Sequence, residues 1–182
     1  MEKTDLELVT SYLDGDEESL RTLIERHSDS LYNFVYRFGG KDDSADITQE
    51  IFVKVWKNLH KFDREKNFKT WLFAIARNTV TDWLRKRKHI LFSDMDSENM
   101  FFEDSLVDEE MRPDEISVLA HDKQKLEQAL EKLSPEYKAV LLLRYSEDFT
   151  FKEIGEILDK SQNTVKSQHT RALDQLKKIL KK

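Results

Sequence analysis

Three clusters of side chains have the types and spacing to bind something. The first lies in residues 62–88, FDREKNFKTWLFAIARNTVTDWLRKRK. Phe62 and Phe68 bracket a polar loop that begins at Asp63, and a helix-period run follows. Phe68, Leu72, Ile75, Ala76, Thr79 and Trp83 fall on one side of that run. Thr70, Ala74, Arg77, Thr81 and Lys88 fall on the other, with Asn78 and Arg85 at its margin. Cations follow phosphates, aromatic rings stack on bases and amides read base edges, so this mixture suits single-stranded nucleic acid. It also suits a buried helix with a solvated basic end.

The second cluster is Asp46, Gln49, Glu50, Val53 and Lys57, opposite an apolar back of Ile47, Ile51, Val55 and Leu59. Spacings of three and four residues set these side chains side by side on a helix. Carboxylates and an amide around an outward Val can dock a basic, partly apolar partner, or form a solvated face. The third cluster is Gln162, Asn163, Thr164, Lys166, Ser167, Thr170 and Arg171, opposite Val165, Ala172, Leu173, Leu176 and Leu180. These polar groups can bond base edges or phosphates. They crowd the N-terminal half of their helix, the half that enters the major groove in helix-turn-helix proteins.

Other chemistries lack their residues. Without Cys there is no disulfide, thiolate metal site or Cys nucleophile. The five His are scattered, and no Asp-x-Asp-x-Asp-Gly loop or His-x-x-x-His pair occurs, so neither a metal nor a cofactor is expected. With no nucleophile–base pair or phosphate loop, an enzyme is not expected. No apolar run approaches the ~18 residues of a membrane span. The N-terminus lacks the basic-then-apolar order of a signal peptide, so a cytoplasmic protein without membrane insertion is expected.

The elements that must position the clusters are helices. Of 182 residues, 38% are hydrophobic and 36% charged, with four Gly and two Pro, and long apolar-periodic runs dominate. The fold class is all-α: two small helical domains joined by an acidic linker, the C-terminal one with a helix-turn-helix. Residues 1–90 hold 16 Lys and Arg against 16 Asp and Glu, residues 91–120 hold 1 against 10, and residues 121–182 hold 13 against 10. That profile divides the chain into an N-terminal domain at 1–90, a linker at 91–113 and a C-terminal domain at 114–182. An acidic total argues against indiscriminate DNA binding by the whole chain.

In the N-terminal domain Leu20, Leu23, Ile24, His27, Leu31, Phe34, Val35 and Phe38 form a core stripe that Gly39-Gly40 stops. The linker scatters Leu91, Phe92, Met95, Phe101 and Phe102 among its carboxylates without helical period. Period returns with Ile116, Leu119, Leu126, Leu130 and Leu133. Ser134-Pro135-Glu136 reads as cap, first-turn proline and first-turn acid. Thr150-x-x-Glu153 is a capping box, Asp159-Lys160 turns the chain, and Ser161 caps a final helix from Gln162 to about Leu180.

Taken together, the chain resembles the extracytoplasmic-function (ECF) class of bacterial RNA polymerase sigma factors across essentially its whole length. The motifs are DDSADITQEIFVKVW, FKTWLFAIARNTVTDWLR, and LSPEYKAVLLLRYSEDFTFKEIGEIL followed by SQNTVKSQHTRAL. The resemblance implies that Asp46, Gln49 and Glu50, with the neighbouring Val53, contact the clamp of core RNA polymerase. It implies that Lys54 and Asn78, with the loop Phe62, Asp63 and Phe68, hold the melted non-template strand at the −10 element. Trp71 walls that site or packs behind it, while Arg77 and Arg85 take phosphates. Lys166, Ser167 and Arg171 match positions that contact −35 DNA, beside Gln162, Asn163 and Thr164. Family members are commonly held inactive by an anti-sigma protein. The linker is similar to the segment that threads toward the polymerase cleft, where its carboxylates would mimic nucleic-acid charge.

Asn163, Gln168 and Thr170 depart from the family pattern, so no base preference is transferred. The expected function is a sigma factor directing promoter-specific initiation. A two-domain protein-interaction adaptor and a stand-alone helix-turn-helix repressor are the alternatives.

Overall fold

A computed structural model describes residues 3–93 and 116–181 of the chain, with side chains described at 3–87 and 124–181. Among the described residues every regular element is helical. The order is α1 (Asp5–Leu13), α2 (Glu17–Gly39), α3 (Ser44–Asn58), a short 3₁₀ turn (Leu59–Lys61), α4 (Phe68–Ser93), α5 (Ile116–Glu131), α6 (Pro135–Tyr145), α7 (Phe151–Leu158) and α8 (Gln162–Leu180). Residues 94–115 lie outside the described residues, and with them most of the expected linker. Its first residues differ from expectation: α4 continues to Ser93, because neither Gly nor Pro interrupts it.

Helix starts are set locally. Thr4 accepts the Glu7 N–H and Glu7 returns a carboxylate to the Thr4 N–H, closing a capping box on α1. Gly40 ends α2 with φ 103°, a conformation that favours a residue without Cβ. Gly39 is needed for a different reason. A Cβ there would stand 3.0 Å from Val80 Cγ1, so α2 and α4 approach closely at this point.

Helices α2, α3 and α4 pack together, with α1 laid against α2. Leu23, Leu31, Phe34, Ile51, Leu72 and Phe73 are fully buried between them, each stabilising the fold by about 1.5–3 kcal/mol. His27, expected in the core, is buried and bonds Asp5 at 2.8 Å; Asp5 also takes Arg26 at 2.7 Å. That clasp ties α1 to α2. In the C-terminal half α6 and α7 pack on α8, and α5 lies along α8.

The two halves also meet. Helix α4 packs on α7 and α2 on α6, so one cluster of buried side chains runs from Phe34 and Phe73 to Phe149 and Ile154. Sequence periodicity misplaces a few residues. Thr70, expected in front of α4, is buried, and Phe73 and Val80 join the buried side. That side is wider than one stripe because α4 is gripped by α2, α3 and α7. Leu126 and Leu180, placed on the apolar side by their spacing, are 42% and 48% exposed. The side chains of Ile116, Leu119 and Lys88 lie outside the described residues.

Candidate functional site

The α3 face is built as its spacing predicts. Asp46, Gln49, Glu50 and Val53 are all exposed, while Ile47, Ile51 and Val55 turn inward. Glu50 reaches Lys54 at 2.7 Å, an exposed one-turn ion pair worth a few tenths of a kcal/mol (~0.3–0.5). Beside this polar row an open groove of ≈ 570 Å³ runs between α2 and α3. Leu20 and Ile24 of α2 and Phe52, Val53 and Trp56 of α3 line it. Leu20 and Ile24 are therefore half-buried groove walls, unlike the rest of their stripe. The Trp56 indole is 52% exposed yet held in place, its N–H donating to Tyr12 Oη at 2.8 Å. An apolar trough with an acidic rim fits a helical partner that is apolar on one face and basic at its border.

The second site is shaped by the 62–68 loop. Asp63 Oδ1 accepts the Glu65 N–H, and the Asp63 carbonyl accepts the Lys66 N–H, so Asp63 shapes the loop itself. Asn67 Oδ1 accepts the Thr70 N–H and starts α4. Phe62 and Phe68 are 6% and 5% exposed, so their rings do not present free faces as stacking platforms. They pack edge to face at 5.7 Å, and both rest against Trp71, at 5.1 and 5.8 Å. The burial follows from α2, whose His27 closes on Phe68 at 5.5 Å. The half-buried Trp71 is thus the aromatic with a surface left to offer.

Steps of seven residues on a helix return almost to the same side, so Trp71, Asn78 and Arg85 share one stripe, about 10 Å apart. Asn78 is exposed, and its Oδ1 is held by Arg77 Nη1 at 2.9 Å, which orients the amide. Arg85 is exposed and pairs with Asp82 at 2.9 Å. Lys54 reaches from α3 to Thr79 Oγ1 at 3.1 Å, which brings α3 and α4 to one surface.

The third site is the α7–α8 pair. Thr150 and Glu153 close a capping box on α7, and Asp159 turns left-handed with φ 53°. Ser161 Oγ accepts the Thr164 N–H at 3.1 Å and caps α8. Gln162, Asn163, Thr164, Lys166, Ser167 and Arg171 are all exposed on its N-terminal half. The positive end of the helix dipole adds to Lys166 and Arg171 there, favouring phosphate. Gln168 points elsewhere, donating to Glu136 Oε2 at 3.2 Å. His169 is structural: Tyr145 Oη bonds it at 3.0 Å and Phe151 packs on its edge at 5.1 Å. Burial pushes its pKa down, and the neighbouring Arg144 charge adds to that.

The chain matches the family model for sigma-70 region 2 at residues 23–90 and that for sigma-70 region 4 at residues 123–176. It is 30% identical over 171 residues to the ECF RNA polymerase sigma factor SigW of Bacillus subtilis, covering 92% of this chain and 91% of the relative. This chain belongs to the ECF RNA polymerase sigma factors. SigX of the same organism is also 30% identical, over 89% of this chain and 84% of the relative. The sigma factor RpoE of Bartonella quintana, solved in complex with the anti-sigma factor NepR, shares the fold. It has a TM-score of 0.73 at 23% identity, covering 88% of this chain and 96% of that one. The chain is accordingly a promoter-directing sigma factor, of a family that initiates transcription without being an enzyme. Among the described residues of this sigma factor, no helix is long and apolar enough to cross a membrane.

Sequence reasoning missed the contact between the two halves. Glu147, in the turn after α6, is 6% exposed; Ser30 of α2 donates to its carboxylate, and Lys69 Nζ lies 3.6 Å from it. Burial pushes the Glu147 carboxyl up, with Ser30 and Lys69 only partly opposing. A lone Glu in a polar turn gives no sequence signal that it will be covered.

Proposed function

We propose that residues 1–90 dock on core RNA polymerase and capture the melted −10 strand, that residues 114–182 read duplex −35 DNA, and that residues 91–113 connect them. Asp46, Gln49, Glu50 and Val53 meet the polymerase at the rim of the α2–α3 groove. Trp71 offers its free surface to an unstacked base; Lys54, Arg77, Asn78 and Arg85 hold the strand beside it. Phe62, Asp63 and Phe68 act one step back, by fixing the loop and the Trp71 ring. Gln162, Asn163, Thr164, Lys166, Ser167 and Arg171 face the −35 duplex. The single observation that carries the reading is this: one chain presents an acidic-rimmed apolar groove and a capped helix with a polar front. Each contact alone is weak. Once the polymerase fixes their spacing, the second becomes effectively intramolecular.

This chain itself carries no catalysis and works in the cytoplasm, where polymerase and promoter are. An anti-sigma protein covers its polymerase-facing groove; the relative solved with NepR supports a partner of that kind. The test is co-elution with core polymerase and promoter-dependent transcription. Replacing Asp46, Gln49 and Glu50 together by Ala is expected to leave the melting curve within about 1 kcal/mol of the parent chain while abolishing both activities. Full transcription from the folded triple variant refutes the docking face.

A further inference from the structure

The cations around the α4 stripe are not alike. Lys54 and Arg85 each hold a carboxylate, Glu50 at 2.7 Å and Asp82 at 2.9 Å. Arg77 instead holds an amide: its Nη1 donates to Asn78 Oδ1 at 2.9 Å. Successive residues on a helix point about 100° apart, so this contact forms only because the long Arg77 side chain folds across to its neighbour. Asn78 is exposed, and among the described residues no group bonds its amide nitrogen.

The direction of that bond decides what Asn78 can read. A guanidinium carries donors only, so the amide oxygen is the atom that must face it. The side left open is the NH₂ group, which only donates. An unconstrained Asn reads adenine, its oxygen accepting from N6–H and its nitrogen donating to N7. Here the oxygen is taken, and the Arg77 charge beside it disfavours the partly positive amino group of adenine. The edges that suit a donor-only amide are those with adjacent acceptors: guanine at O6 and N7, or cytosine at N3 and O2. Adenine sets its N6 amino group beside both N1 and N7, and thymine separates its two oxygens by N3–H. The guanidinium keeps donors to spare for a neighbouring phosphate.

We propose that Arg77 is a positioning residue for base selection: by holding the Asn78 oxygen it makes Asn78 a donor-only reader, which selects cytosine or guanine over adenine at one position of the captured strand. The proposal rests on the strand-capturing face assigned under the proposed function. Trp71 lies about two turns from Asn78 on the same stripe, so this reading is separate from that of a base meeting the indole. Arg77 thus joins two tasks, since one guanidinium can hold a phosphate and set the edge that its neighbour reads.

The test offers DNA single strands of random sequence to core RNA polymerase bound to the full chain. The recovered strands are sequenced and compared with those that core polymerase recovers alone. The parent chain should enrich cytosine or guanine over adenine at one position by about tenfold, the discrimination of a good two-bond base contact. Asn78→Ala should erase that preference and leave the other positions as they were. Arg77→Met keeps the aliphatic stem and frees the amide to turn, so the preference at the same position should fall to parity or pass to adenine. Neither side chain is buried, so both variants keep the fold. Loss of a phosphate contact alone would lower the recovery of every sequence alike and change no preference. An unchanged preference in Arg77→Met therefore overturns the positioning role and leaves strand capture standing. So does adenine enriched by the parent chain at the position that Asn78→Ala alters. A preference that survives Asn78→Ala at every position shows that Asn78 reads no base, which also overturns the proposal. If the parent chain recovers the same strands as core polymerase alone, the strand-capturing face is itself refuted, and the selection falls with it.

Discussion

Replacing Gly155 by Ala sets two effects of opposite sign against each other. Gly155 lies within α7, where Ala is favoured over Gly by about 1 kcal/mol. A Cβ on residue 155, however, would stand 2.7 Å from the Lys160 carbonyl oxygen and 3.6 Å from the Gln162 nitrogen. The obstacle is backbone, so no side chain can swing aside. That backbone is also pinned, because the Lys160 N–H donates to the Gly155 carbonyl at 2.9 Å and Asp159 holds φ 53°. Relieving the clash means moving the whole turn between α7 and α8. Overpacking of this kind costs roughly 1–3 kcal/mol, and loosening the turn hydrogen bond adds about 1. After the helix-propensity gain, a net loss of about 1–3 kcal/mol remains. A loss of 2 kcal/mol lowers Tm by roughly 4–8 °C in a chain of this size. Urea denaturation followed by circular dichroism measures the loss. Because the same turn aims α8, −35 duplex binding should fall along with stability. If Gly155→Ala is as stable as the parent chain, the close approach is not what selects glycine and the reasoning fails.

Two further outcomes are expected. Burial pushes the Asp5 carboxyl up, but hydrogen bonds from His27 and Arg26 and their charges outweigh it and leave its pKa below the ordinary value of 3.8. A depressed folded-state pKa contributes stability above the unfolded value and loses it as pH falls through the folded one. Asp5→Asn should therefore lower Tm at neutral pH. It should also flatten the loss of stability below about pH 4, and parallel melting curves for both chains across that window would contradict the clasp. Arg171→Ala removes one exposed cation from the front of α8. It should leave Tm within about 1 °C and reduce the log–log salt dependence of −35 duplex binding by about 0.9. An unchanged salt slope would show that Arg171 meets no phosphate.

The α3 face and the front of α8 were legible because each is one helix, and helical spacing alone decides which side chains share a side. Asp46, Gln49, Glu50 and Val53 emerge together, as do Gln162, Asn163, Thr164, Lys166, Ser167 and Arg171. The α4 surface around Trp71 was legible only in part. Whether Phe62, Phe68 or Trp71 shows a free ring depends on how the three rings pack on one another and on α2, distant in sequence, whose His27 closes on Phe68. The groove beside α3 escaped notice for a related reason. Leu20 and Ile24 read as core, and only the packing of α3 beside α2 leaves them lining an open trough.

The capping boxes at Thr4 and Thr150, the stops at Gly15 and Gly40 and the cap of α8 at Ser161 are properties of contiguous residues, and the sequence alone determined them. Such features close their own hydrogen bonds within one turn, so nothing distant can redirect them. The seating of Glu147 on Ser30 and Lys69, and of Phe149 on Phe73, was decided by tertiary structure. Those residues are separated by long stretches of chain. Their burial exists only once two independently patterned halves find each other, and no local periodicity encodes that meeting.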